Sequence, residues 1–383
     1  MKTHFITPIK LQAIKLLPVL LLFLFSGCKK DISPSQDIIT QTENDDGVLA
    51  ARVVHAGNSI QSAIDAVKPG SVIKIEPGVY KEAIKISKPG ITIIGITRKG
   101  EGVVIKNPGD EDDGITVTEE ACGFTLKNVT VQGFEENGVI LIGVDGFLIS
   151  HVTAINNGEY GIFPVFCSNG TVEYCVAFGH SDTGIYIGQS RNVEMRFNEA
   201  YANVNGLEVE NSHNINVQYN RTYNNVAGML IDVLPGKKVK SSSNIHISFN
   251  FVSNNNHKNF GEEGSLESVV PKGIGILILG TDKAIVERNV VEGNNFLGIG
   301  TFSTLVLGQL AGLPPDAFKD IDPNPENNQV RLNLLLNNGS NPPQIPDLPL
   351  PGVDLLWDGS GTGNCWSGNV FTSSYPSPLP TCN

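Results

Sequence analysis

The chain has 383 residues, with 39 Asp and Glu against 27 Lys and Arg, a formal net charge of −12. That balance excludes nucleic acid as the expected partner, since phosphate neutralisation needs clustered Lys and Arg, and the one basic run, Lys237, Lys238 and Lys240, reads as a solvated loop. Three Met beside 41 Gly favour a turn-rich β architecture, and the aliphatic content suffices for one continuous core.

At the N-terminus, Lys2, Lys10 and Lys15 precede an apolar run from Leu16 to Phe25, too short for a membrane span and suited to a signal peptide over residues 1–27. The following Leu24-Phe25-Ser26-Gly27-Cys28 resembles the lipobox of bacterial lipoproteins, in which the Cys carries the lipid. The resemblance implies lipidation at Cys28, membrane lipid as a partner, and a cell-envelope location on the periplasmic or outer-membrane side. Residues 28–52 are polar and read as a flexible tether.

Ordered structure is expected from Val53. Asn58-Ser59-Ile60-Gln61 carries a capping signal, and Ile60, Ala63, Ile64 and Val67 line one face of a short helix that Pro69-Gly70 stops. Short apolar strands broken by Pro-Gly pairs follow, at 72–75, 83–86 and 91–94. This entry, SIQSAIDAVKPGSVIKIEPGVYKEAIKI, resembles the opening of pectate-lyase-like right-handed parallel β-helices. The expected fold is all-β, a single-stranded right-handed parallel β-helix over 53–340, with an N-terminal capping helix and a Pro-rich cap over 341–383.

A repeat supports that fold. Gly184, Gly206 and Gly228 are each 22 residues apart, the period of a solenoid whose units bury their apolar sides against one another. One column runs Asn128, His151, Cys175, Asn198, Asn220, Asn250, Asn289 and Asn333. A second, five residues later in each coil, runs Asn156, His180, Asn203, Asn225, Asn255, Asn294 and Asn338. Stacked Asn side chains can satisfy turn amides from coil to coil, so His151, His180 and Cys175 are assigned to structure rather than to catalysis. Metal-binding Cys/His spacings, a phosphate loop and a nucleophile elbow are not found. Column arithmetic places insertions at 234–243, 257–273 and 302–328, walling one sheet face.

On that face Ile185, Ile187, Leu207, Val209, Met229 and Ile231 point inward, whereas Tyr186, Glu208, Glu210, Leu230 and Asp232 point outward. Glu210 and Asp232 stack one coil apart, at ~4.8 Å, where two like charges repel by roughly 3 kcal/mol at an effective dielectric of 20. A bound cation, a shared proton or solvation must offset this. Glu208, Glu210 and Asp232, with Asn211, suit calcium. Asp182 and Gln189 extend the polar set, and Phe163 and Tyr186 offer ring faces to a sugar. A solvated acidic stripe is the alternative.

The segments Ser181 to Ser190, Gly206 to Asn211 and Gly228 to Pro235, with the tail Leu356-Trp357-Asp358-Gly359 to Asn369, resemble a family of exported parallel β-helix repeat lipoproteins whose activity is not established. More distantly, pectate lyases, polygalacturonases and alginate epimerases share the fold. The resemblance implies binding or processing of an acidic polysaccharide, with Glu208, Glu210, Asp232 and Asp182 as candidate catalytic groups and Phe163, Tyr186, Gln189 and Asn211 as candidate substrate contacts. A non-catalytic envelope scaffold or protein-partner-binding β-helix is the other class. Neither Lys nor Arg falls in the outward columns of these strands. Cys365 and Cys382 are expected to form a disulfide in an exported chain, and Cys122 and Cys167 read as buried thiols. Oligomeric state is not set by the sequence.

Overall fold

The structure is a computed structural model that describes residues 51–345 and 349–382. Signal segment, most of the tether and Cys28 lie outside the described residues. Three sheets of twelve, eleven and ten strands run along the molecule. Every pairing between named strands is parallel, and each coil adds one strand to each sheet, as in the register Thr183↔Asn205 and Asn205↔Ala227. This is the expected parallel β-helix. Its interior is one apolar cluster running from Val54 to Trp366.

The first described strand, Ala51–Val54, starts slightly before the expected boundary of the β-helix and pairs with Val72–Ile75. The capping helix spans Ile60–Ala66 and buries Ile60, Ala63 and Ile64. Ser59 caps it through the amide of Ser62 at 3.1 Å, and Glu82, from the following coil, accepts from the amides of Ile60 at 2.6 Å and Gln61 at 3.2 Å. At the other end the solenoid does not stop at 340. Val353–Trp357 pairs with Leu297–Phe302, and Cys365–Ser367 pairs with Gln329–Arg331, so the tail completes further coil. Cys365 and Cys382 form the expected disulfide. Cys167 and Cys175 are buried free thiols, each pushed up to about 12 by burial. Cys122 is half-buried rather than fully buried.

The amide ladders exist, with a correction to their first members. Asn198, Asn220, Asn250, Asn289, Asn333 and Asn369 form one; Asn203, Asn225, Asn255, Asn294 and Asn338 form the other, ending on Asp354. In each, the side-chain oxygen accepts the backbone N–H of the preceding coil while the side-chain NH2 donates to the next. Cys175 and His180 occupy ladder positions: their backbone N–H groups donate to Asn198 and Asn203. His180 is fully buried, its ring between the carbonyls of Asn157 and Ala154, and burial pulls it down to about 4, which rules it out as an exposed base. Asn128, His151 and Asn156 belong one residue earlier, at turn positions with φ of 57°, 55° and 47°. Their neighbours are Val129, Val152 and Asn157.

That earlier turn column carries a stack the columns did not reveal. His151, Tyr174, Phe197, Tyr219 and Phe249 lie ring on ring at 5.0 to 5.1 Å. Left-handed backbone disfavours such residues, and ring stacking between coils offsets it.

The ladders also explain the Gly column. A Cβ on Gly206 would lie 2.6 Å from the carbonyl oxygen of Gly228 and 2.8 Å from the side-chain nitrogen of Asn225. Replacing Asn225 with Ala leaves the amide of Asn203 without its acceptor, and the free energy of unfolding is expected to fall by about 2–4 kcal/mol. His151→Ala, on an exposed ring, is expected to cost under about 1 kcal/mol. Denaturant titration of both variants checks the contrast.

Candidate functional site

The site lies on the outer face of the eleven-stranded sheet, on the strands Tyr160–Val165, Thr183–Gly188, Asn205–Glu210 and Ala227–Asp232. The predicted alternation holds. Ile185, Ile187, Leu207, Val209, Met229 and Ile231 are core residues, and the register pairs Tyr186 with Glu208, Glu208 with Leu230, and Glu210 with Asp232.

The outward residues are not a solvated stripe. Asp182 is 7% exposed, Glu208 4%, Glu210 3% and Asp232 0%. Apolar residues of the three insertions explain this. Leu234, Val270 and Leu307 pack with Leu230, Leu277, Leu279 and Phe302 into a second cluster on top of the sheet.

Burial forces each carboxyl to find a partner or a proton. Glu208 accepts from the Thr183 hydroxyl and from the Asn205 amide at 3.3 Å. Glu210 takes Lys237, whose Nζ is 2.9 Å from one carboxylate oxygen, while the other oxygen has no hydrogen-bond partner among the described residues. Neither oxygen of Asp232 has one among them. Burial, followed by the charge of Glu210, raises Asp232 well above the carboxylate range; burial and then Asp232 do the same to Glu208. Asp182 is raised by burial and by Glu208, and its carboxyl hydrogen-bonds the Thr183 hydroxyl at 2.9 Å and the Tyr160 phenol. Burial works against the charge on Lys237, yet Glu210 beside it leaves its pKa raised.

Two expected substrate contacts serve the scaffold instead. Asn211 is fully buried; it accepts from the Leu234 amide at 2.7 Å and donates to the carbonyls of Leu234 at 2.9 Å and Val239 at 2.7 Å. Gln189 accepts from the amides of Lys238 at 2.7 Å and Val239 at 3.3 Å. Together they staple the first insertion in place, and so deliver Lys237 to Glu210. Of the basic run, Lys237 alone leaves the solvated loop; Lys238 and Lys240 are exposed as expected, Lys238 lying 4.7 Å over the ring of Phe166 and Lys240 pairing with Asp320 of the third insertion.

Phe163 and Tyr186 are in contact as expected, 4.6 Å apart, and Tyr160 joins them, 4.3 Å from Phe163. Tyr160 and Phe163 are half-buried, whereas Tyr186 is buried. The Tyr186 ring lies across Gly188, where a Cβ would sit 2.0 Å from the phenol oxygen. Tyr160, Thr183 and Asn205 were not singled out from the sequence, although all three precede a column glycine.

Among the described residues, no group of three His, Cys, Asp or Glu side chains is placed to hold a metal ion. Glu210 turns to Lys237 and Glu208 to Thr183 and Asn205; the lysine beside Glu210, and burial that favours the neutral acid at Asp232 and Glu208, both act against the like-charge repulsion.

Residues 113–236 match the family model of the right handed beta helix region. The search of curated proteins finds no match. Among solved structures, the A-module of the mannuronan C-5 epimerase AlgE4 of Azotobacter vinelandii is similar at TM-score 0.59 and 18% identity, over 81% of this chain and 89% of that one. The AlgE6 A-module of the same organism gives 0.56 and 16%, over 85% and 93%. A mutant DFA-IIIase of Arthrobacter chlorophenolicus A6 in complex with DFA-III gives 0.52 and 14%, over 83% and 81%. At these identities the likeness is one of fold, the right-handed parallel β-helix.

Folding raises the pKa values of Asp232, Glu208 and Asp182, so the folded chain holds protons that the unfolded chain releases. Their stabilisation is fully present below the ordinary carboxylate pKa, about 4, and is lost as pH rises through the raised values. The free energy of unfolding should therefore fall as pH rises from the ordinary carboxylate pKa, about 4, through the raised values, and Asp232→Asn should flatten that slope. Denaturant titrations across this range check it.

Proposed function

We propose that this chain binds an acidic polysaccharide against the half-buried rings of Tyr160 and Phe163 and acts on it with Glu208, Glu210, Asp182 and Lys237. The observation that carries the reading is the burial of Asp182, Glu208, Glu210 and Asp232 on one sheet face with the Nζ of Lys237 2.9 Å from Glu210. Burial raises three of these carboxyls and the fourth is paired with Lys237, an arrangement that favours proton donors beside a cation. A lyase or epimerase needs a group to neutralise the sugar carboxylate and groups to take and give a proton at C5. Lys237 fits the first requirement. In this reading Glu210 accepts a proton and Glu208 donates one. The ring faces of Tyr160 and Phe163 suit the apolar side of a sugar. That the similar structures include a mannuronan epimerase is consistent with this chemistry. In this reading Cys28, outside the described residues, anchors the chain to the cell envelope.

A non-catalytic scaffold is the second reading, favoured by the complete burial of Asp232 beneath the insertions. Incubation with alginate, pectate and a neutral glycan, with EDTA or with calcium, separates the two. Assays for new double bonds, reducing ends and epimerised residues should detect turnover of an acidic polymer. Glu208→Gln and Lys237→Met should each lower it by at least about 100-fold while melting stays cooperative. Complete absence of product from the wild type would leave the scaffold. Turnover lost in EDTA and restored by calcium would transfer the neutralising role from Lys237 to the ion.

A further inference from the structure

Far along the solenoid from Glu208, the last two coils carry a cleft of about 650 Å³ that the proposed reaction does not use. Its floor is the outward side of paired strands, Gln329 and Arg331 on one, Cys365 and Ser367 on the next. One wall is the turn from Trp357 to Asn364; the other is the tail Pro380–Cys382. The Cys365–Cys382 disulfide and a 2.8 Å bond from the Trp366 amide to the Pro380 carbonyl tie that tail down. The volume falls within the range of small-ligand sites.

The chemistry of the lining is unlike the rest of the molecule. In a chain of net charge −12, no Asp or Glu is found among the described residues that line this cleft, and its one charged group is Arg331. Arg331 is oriented from behind: Nε donates to Glu287 at 2.8 Å and Nη1 to Gln329 at 3.1 Å. Glu287 is itself shared with Arg288 at 2.8 Å and His246 at 3.1 Å, so two guanidinium groups face a single carboxylate and the cluster keeps a positive charge. Nη2 of Arg331 has no partner among the described residues. A guanidinium held in this way is preorganised for a planar anion. Trp357 supplies a ring, its indole N–H turned away to the Ser360 carbonyl at 2.8 Å, and the hydroxyls of Ser367 and Thr381 add donors and acceptors.

We infer that this cleft is a binding site for a carboxylate-bearing sugar residue, held by the guanidinium of Arg331 and packed on Trp357. It is independent of any catalysis on the other face, and it would let an exported chain hold an acidic glycan at a second point.

The test is calorimetry of the full chain with a uronic-acid trisaccharide, its methyl ester and inorganic phosphate. The trisaccharide should bind. Its ester and the Arg331→Gln variant should each show binding about tenfold weaker or worse, and Arg331→Lys should recover part of it. Trp357→Phe should weaken binding without altering the charge dependence, which keeps the test decisive if Arg331→Gln melts early. Absence of binding, equal binding of the ester, or phosphate binding as tight as the sugar would overturn the inference. So would loss of binding in Lys237→Met but not in Arg331→Gln, which would place the sugar on the Glu208 face.

Discussion

The side-chain amide ladder is the constraint on which the rest of this molecule depends. Each Asn closes its turn by accepting one backbone N–H from the coil before and donating to the coil after, so successive coils stack in fixed register. Buried amides with every hydrogen bond made tolerate little slippage. Fixed register forces a Gly where the ladder presses against the next strand, and it keeps the strands of the long sheet level with one another. Glu210 and Asp232 thereby become direct neighbours on adjacent strands.

Two like-charged groups placed so closely demand compensation, and the structure supplies it in two ways. The first insertion, fastened by Asn211 and Gln189, brings Lys237 to Glu210. The apolar residues of all three insertions then close over the sheet, and in that low-dielectric setting Asp232 is favoured as the neutral acid. Scaffold and site are thus coupled: a loop that seems peripheral sets the charge of the floor, and a structural asparagine sets the loop.

Much of this was legible in the sequence, and the failures have physical causes. The 22-residue Gly spacing, the Asn columns and the in–out alternation led to the fold, and they led to the Glu210–Asp232 pairing. The ladder slipped by one residue at Asn128, His151 and Asn156 because two adjacent turn positions, one left-handed and one hydrogen-bonding, both favour Asn. Burial of the acidic face was not visible, since alternation reports which side a residue takes and says nothing of what lies above it. Leu234, Val270 and Leu307 look like loop residues until they are folded onto Leu230 and Leu277. Lys237 carries no periodic signal, because an insertion has no register. Gln189 and Asn211 looked like ligand contacts for the same reason: their partners are backbone groups of an insertion.

The central claim is that Asp232 is held neutral next to an ion-paired Glu210. Site-resolved carbon NMR of the Asp232 carboxyl across a pH titration measures this directly. The account predicts a protonated carboxyl at neutral pH that ionises only well above the ordinary carboxylate range; a carboxylate already ionised at neutral pH, titrating near 4 as a solvated Asp does, would contradict it.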